Sequence, residues 1–129
     1  MRREALMWFK QAESDLRKAF NDLITKDWDG AAFWSHQAAE KALKALILSR
    51  GKFVRGHDLM ELGRVIREEL GIDISEIIEL LKELTIHYTV ARYPNAANAI
   101  PSEIYTEDKA KRLVNMAKRV IEWVKRFLL

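Results

Sequence analysis

The sequence predicts an all-α protein, an up-and-down bundle of about five helices in one domain spanning residues 1–129. Three observations carry that expectation. Apolar residues recur at steps of three and four over most of the chain, which puts them on one face of a helix. Only 5 Gly and 2 Pro interrupt the 129 residues. The long stretches end at recognisable stops: Gly51, Gly71 and Pro94. Short connections between long helices favour antiparallel neighbours.

The first helix is predicted over Arg2 to Ile24, where Ala5, Phe9, Ala12, Leu16, Ala19 and Leu23 form one stripe. Asp27 stands where a cap for the next helix belongs. The second helix is predicted over Trp28 to Arg50, stopped by Gly51 in a left-handed conformation. Its polar residues His36, Gln37, Glu40, Lys41 and Lys44 share an arc of roughly 140°. Almost everything outside that arc is apolar and rich in Ala, which marks a helix contacted from more than one side. It is therefore either the central helix of the bundle or partly a contact with a second subunit. Residues 51–57 read as a loop. Asp58 and Glu61 have capping-box spacing ahead of a third helix that buries Leu59, Leu62, Ile66 and Leu70. Asp73 or Ser75 opens a fourth, carrying Ile74, Ile77 or Ile78, Leu81, Leu84 and Tyr88. It must end near Arg92, because Pro94 biases Tyr93 toward extended backbone. Residues 94–105 lack periodicity and read as a loop or a fragment of helix. Thr106 caps the last helix, with Ala110, Leu113, Ala117, Val120, Val124 and Phe127 on one face.

Composition narrows the chemistry. Hydrophobic residues make up 49% and charged residues 32%, the balance of a soluble globular protein. With no Cys, disulfides, thiolate chemistry and Cys-based zinc sites are excluded. The first residues, from Met1 onward, carry no apolar signal-peptide core, and no apolar run approaches the ~20 residues of a membrane span. A cytoplasmic protein without membrane contact is expected. The net charge of +3 permits contact with phosphate without requiring it.

An ordered set of segments then resembles a known family. The run Gln37-Ala38-Ala39-Glu40-Lys41-Ala42-Leu43-Lys44-Ala45-Leu46 looks like the second helix of HEPN domains. Ala12, Asp15 and Leu16 precede it; Gly56-His57-Asp58-Leu59, Tyr88, Arg92-Tyr93-Pro94 and Tyr105-Thr106 follow in order. The resemblance implies a five-helix bundle of the nucleotidyltransferase substrate-binding-subunit type, usually a homodimer. Many members accompany a minimal nucleotidyltransferase in two-component, toxin–antitoxin systems; others bind nucleotides or cleave RNA. The ribonuclease branch carries an Arg and a His with four to six residues between them, near the end of the fourth helix. Here Arg92 stands in that place, but Ala97, Asn98 and Ala99 stand where the His belongs. Arg50 and His57 have the spacing on the wrong element. The side chain best suited to proton transfer near neutral pH is thus missing from the motif.

Six residues are expected to bind ligand: Gln37, Lys41, Lys44, His57, Arg92 and Tyr93. Arg92 can clamp phosphate through its fork while Tyr93 stacks a base; alternatively Arg92 caps a helix C-terminus. Gln37, Lys41 and Lys44 can meet Arg92 across the bundle in a cationic groove; alternatively they form a solvated face with a Glu40–Lys44 pair. His57 can touch phosphate at a helix N-terminus or simply order its loop. His36, His57 and His87 read as unrelated histidines rather than a metal site. Trp8, Trp28, Trp34 and Trp123 read as core and dimer-interface anchors. The basic last helix reads as a charged outer face. No catalytic residue, metal or cofactor is assigned. The function expected is a homodimeric binding module for a nucleotide or RNA, acting with a partner such as a minimal nucleotidyltransferase. Two alternatives stand beside it: a metal-independent ribonuclease toxin using Arg92 with Asn98, His57 or His87, and a purely structural dimerisation module.

Overall fold

Spacing of apolar residues produces three long helices and a set of short ones in the computed structural model, which describes residues 2–128. The long helices are α1 (Arg2–Ile24), α2 (Trp28–Ser49) and α7 (Glu107–Lys125). Between them lie α3 (Leu59–Glu68), α4 (Ile78–Leu84), a 3₁₀ turn (Thr85–Tyr88), α5 (Pro94–Ala97) and α6 (Pro101–Ile104). No strand occurs among the described residues, and none of their helices is long and apolar enough to cross a membrane.

The second helix is the central one. It lies against both α1 and α7, with α3 and the 3₁₀ turn on its remaining sides. That is why its apolar arc is so wide: Ala31, Ala32, Ala38, Ala39, Ala42, Leu43, Ala45, Leu46 and Ile47 are all buried. Its alanines leave room for neighbouring backbones. The core continues through Leu59, Leu62 and Ile66 of α3, Leu81 and Leu84 of α4, and Leu113, Ala117 and Val120 of α7. Each fully buried Leu or Ile contributes about 1.5–3 kcal/mol through removal from water.

The helix ends follow local chemistry, with three departures from the sequence expectation. Asp27 does not cap α2; its carboxylate accepts the Thr25 hydroxyl at 2.6 Å instead. Asp58 does cap α3, accepting from the Met60 amide at 2.9 Å, but Glu61 turns to Arg64 rather than back to the cap. The fourth helix is much shorter than expected. At its start, Asp73 accepts from both the amide and hydroxyl of Ser75, holding a turn that competes with helix. At its end, the β-branched Thr85, Ile86, Thr89 and Val90 weaken α-helix propensity. The Thr85 hydroxyl accepts from the Leu59 amide at 3.0 Å, which pins the tightened turn to α3. Tyr93 is extended ahead of Pro94, with φ −115° and ψ 120°. Residues 94–105 form two single-turn helices, each opened by a proline in its first turn; Asn98, left-handed at φ 53°, ends the first. Thr106 caps α7 by accepting from the Lys109 amide at 3.1 Å. Of the tryptophans, Trp123 is buried, while Trp8 and Trp28 are half-buried against the main core and Trp34 against a smaller cluster.

Candidate functional site

The polar arc of α2 does not face solvent. His36, Glu40 and Lys44 are buried at its centre. Charges can occupy such a position only when paired, and they are. The Lys44 ammonium donates to Glu40 Oε2 at 2.9 Å. The other oxygen, Oε1, accepts from His57 Nδ1 at 2.9 Å and lies 3.8 Å from His36 Nδ1. His36 Nε2 donates to the His57 carbonyl at 2.9 Å, and its Nδ1 faces the Gln37 side-chain amide at 3.1 Å. Burial pushes His36 below its ordinary pKa, against the opposing pull of Gln37 and Glu40. A buried neutral imidazole and a buried ion pair therefore fix the loop that presents His57.

His57 itself is half-exposed, with 46% of its side chain accessible. Because Nδ1 serves Glu40, Nε2 is left as the acceptor of this half-exposed ring when it is neutral. The ring stacks on Tyr88, with centroids 3.9 Å apart and planes 13° apart. Tyr88 also meets His36 at 5.4 Å and Phe33 at 6.2 Å.

The same tyrosine supports Arg92. The guanidinium carbon lies 4.5 Å from the Phe33 ring, 4.5 Å from Tyr88 and 4.9 Å from Tyr93. Nε donates to the Tyr88 carbonyl at 3.1 Å. Among the described residues no carboxylate pairs with Arg92, so its two terminal nitrogens remain available to a ligand. Arg92 also lines a cavity of about 360 Å³ with Asp29, Gly30, Phe33, Pro101 and Ser102.

The end of the fourth element and the polar strip of α2 thus converge, through Tyr88 and His57. Gln37, His57, Arg92 and Tyr93 belong to this one assembly. The two lysines differ from the expected cationic groove. Lys44 is committed to Glu40. Lys41 pairs with Asp15 of α1, a fully buried carboxylate that also takes Gln11 at 3.0 Å and Lys18 at 3.3 Å. Lys41 lines a different cavity, about 290 Å³, beside Met7 and Trp8. The arc is neither a cationic groove nor a solvated face; it is a charge-balanced interior seam.

The other candidates fall outside the assembly. The Arg50 guanidinium donates to the Phe127 carbonyl at 2.9 Å, tying α2 to the C-terminal segment instead of approaching His57. His87 is buried, its Nδ1 accepting the Tyr105 hydroxyl at 2.6 Å. Burial, reinforced by Lys109, lowers its pKa to about 4, and burial raises Tyr105 to about 12. Lys109, Lys111 and Arg126 of the basic C-terminal segment pair with Glu83, Glu107 and Glu76.

Sequence reasoning missed Tyr88, Phe33 and Glu40 as parts of the site. A signal existed for each: Phe33, His36 and Glu40 recur at helical steps along one face. Tyr88 stands both in the apolar stripe of the fourth element and among the segments that carry the family resemblance, and its place four residues before Arg92 is the signal that sets it beneath the guanidinium.

Comparison with known proteins bears on this arrangement. A family model described as the HEPN domain matches residues 5–127. A Methanocaldococcus jannaschii protein described as a candidate toxin is 30% identical over 133 residues, covering 96% of this chain and 88% of that protein. The crystal structure of TT1696 from Thermus thermophilus superposes with a TM-score of 0.88 at 34% identity, covering 98% of each chain. That of ST0689, an archaeal HEPN homologue, superposes with a TM-score of 0.79 at 33% identity, covering 97% of this chain and 98% of the other.

Proposed function

The chain belongs to the HEPN domain family, and from that premise we propose that it is a binding module for a phosphate-bearing ligand, a nucleotide or RNA. It works as a homodimer beside a partner protein, such as a minimal nucleotidyltransferase, in a toxin–antitoxin-type pair. The description of the M. jannaschii relative as a candidate toxin supports the last point. Arg92 is the observation that carries the reading. Three aromatic rings and one backbone carbonyl hold its guanidinium at the surface, with no carboxylate paired to it among the described residues. A pre-oriented guanidinium loses little freedom on binding and takes phosphate through two parallel hydrogen bonds. Lysine, a point charge, cannot reproduce that fork.

Calorimetry with nucleotides and short RNAs at two salt concentrations tests the reading. Affinity falls as salt rises, because phosphate contacts are screened, and Arg92→Ala loses most of it. Equal affinities for parent and variant remove Arg92 from the site. Absence of binding to either leaves the dimerisation module as the better description.

A ribonuclease is a second reading, favoured by the Glu40–His57 pair. A buried carboxylate holds His57 through Nδ1 and leaves Nε2 of a half-exposed ring without a protein partner among the described residues. His57 and Arg92 contact one tyrosine ring, so they are no farther apart than their two distances to it together, 3.9 Å and 4.5 Å. Nε2 would take the proton of a ribose 2′-hydroxyl as its oxygen attacks phosphorus. The bond from phosphorus to the 5′-oxygen then breaks, and that oxygen takes a proton from water. Of the alternatives from sequence, His57 is favoured over the buried His87 and over Asn98. The products would be a 2′,3′-cyclic phosphate and a 5′-hydroxyl, lost in His57→Ala. No cleavage at high protein concentration ends this reading and leaves the first intact.

A further inference from the structure

The cavity beside Arg92 has opposite charges on its wall. Arg92 is one lining group and Asp29, in the first turn of α2, is another. Phe33 and Pro101 supply apolar surface, and Ser102 a hydroxyl. At about 360 Å³ the space is within the range of small-ligand pockets, about 300–1,000 Å³. We infer that this cavity is the base pocket of the bound nucleotide and that Asp29 selects guanine. The inference rests on the reading of Arg92 as the phosphate anchor.

The argument is one of donor and acceptor matching. A ligand whose phosphate sits on Arg92 and whose base enters this cavity brings the base edge toward the carboxylate. An ionised carboxylate only accepts hydrogen bonds, and it takes two adjacent donors best. Guanine alone among the common bases offers two adjacent donors, N1–H and the N2 amino group, on its Watson–Crick edge. Adenine and cytosine pair a donor with an adjacent ring-nitrogen acceptor, and uracil places its one N–H between two carbonyls. Each of these would set a lone pair against the carboxylate, an unmade contact that costs affinity.

Orientation is enforced by the surroundings. Asp22 lies near both Asp27 and Asp29: burial, and then the charges of these two neighbours, raise its pKa. The Asp22 carboxylate occupies the space where a side chain at Gly30 would begin, 2.2 Å from that position. This end of the cavity is therefore acidic and repels phosphate, while the Arg92 end attracts it. Asp29 also favours the α2 N-terminus by its charge, but that role is indifferent to which base is bound.

The test compares GMP, AMP, CMP and UMP by calorimetry at low salt, on the full chain, with the parent, Asp29→Asn and Arg92→Ala. The parent should bind GMP on the order of tenfold tighter than the others, the discrimination of a good bidentate base contact. Asp29→Asn keeps the shape of the side chain but presents one donor and one acceptor; it should lose the GMP preference in favour of AMP or CMP and retain the salt dependence. A circular dichroism melt verifies that the variant is folded, and Asp29→Ala, which should also lose the preference, is the substitute if it is not. Equal affinities in the parent, or a GMP preference that survives in the folded variant, overturn the inference. Either outcome leaves the phosphate-binding reading standing if Arg92→Ala still abolishes binding. Failure of all four nucleotides to bind the parent overturns the inference, and failure of short RNAs as well overturns the phosphate-binding reading.

Discussion

Truncating Glu40 should be among the most damaging single changes in the protein. Its side chain is 4% accessible and that of Lys44 10%, so removing the carboxylate leaves an ammonium buried without a partner. Breaking such a pair costs about 3–5 kcal/mol, against a total stability of about 5–15 kcal/mol for a domain. Removing both charges is different. Replacing the pair by apolar groups of similar volume is often neutral, because the desolvation cost of both ions disappears with their attraction. We expect Glu40→Leu and Lys44→Met each to lose about 3 kcal/mol or more, and the double variant to recover most of the loss. Urea melts of the four proteins, with unchanged denaturant slopes, give the coupling energy directly. His57 loses its partner in both Glu40 variants, but its exposed ring exchanges that contact for water. A coupling below about 1 kcal/mol, the level of exposed pairs, would refute the description of this seam as buried and charge-balanced.

Two further outcomes follow from other parts of the fold. His87 stays neutral in the folded protein down to about pH 4, whereas its ordinary value is 6.5. Between those values the unfolded chain binds the extra proton, so stability is full above 6.5 and falls as pH drops through the window toward 4. At about 1.4 kcal/mol per pH unit, the loss amounts to roughly 3 kcal/mol. Urea melts from pH 7 to pH 4 should show a steeper decline for the parent than for His87→Gln, and parallel curves would contradict it. Gly63 of α3 lies where an added Cβ would stand 2.9 Å from Leu81 Cδ1 and 3.3 Å from Ile74 Cδ1. Alanine gains about 1 kcal/mol of helix propensity but overpacks the core at about 1–3 kcal/mol. Gly63→Ala should therefore be destabilised by on the order of 1 kcal/mol, and a raised urea midpoint would show that Leu81 yields freely.

Periodicity and caps made the long helices legible, because burial of one face and satisfaction of end groups are local demands. The boundaries of α1 and α7 and the Asp58 and Thr106 caps follow from them. The fourth element was not legible. Its apolar stripe reads as helix through Tyr88, whereas the outcome depends on the Asp73 turn, the β-branched residues and a hydrogen bond from Thr85 to a distant amide. The site was legible in its members more than in its arrangement. Arg92, Tyr93, His57 and Gln37 could be named from the resemblance and their chemistry. That Glu40 and Lys44 would be interior could not, since a polar arc on a helix ordinarily means solvent. The covering elements are the His57 loop and the 3₁₀ turn, neither of which has a periodic signature. Asp15 lies on the apolar face of α1, where Lys41 reaching from α2, together with Lys18 and Gln11, satisfies its carboxylate; nothing in the periodicity of α1 signals that contact.

The segment that joins α2 to α3 works as a stopper. It is anchored by His57 through both its carbonyl and its ring, and beneath His57 it covers an ion pair as well as the apolar core that Val54 touches. Lifting it admits water to Glu40 and Lys44, which solvation welcomes, so detachment carries less penalty than exposing an apolar interior would. Amide hydrogen exchange in this loop should therefore be faster than in the three long helices, and equal protection would show that the seal opens only with the whole fold.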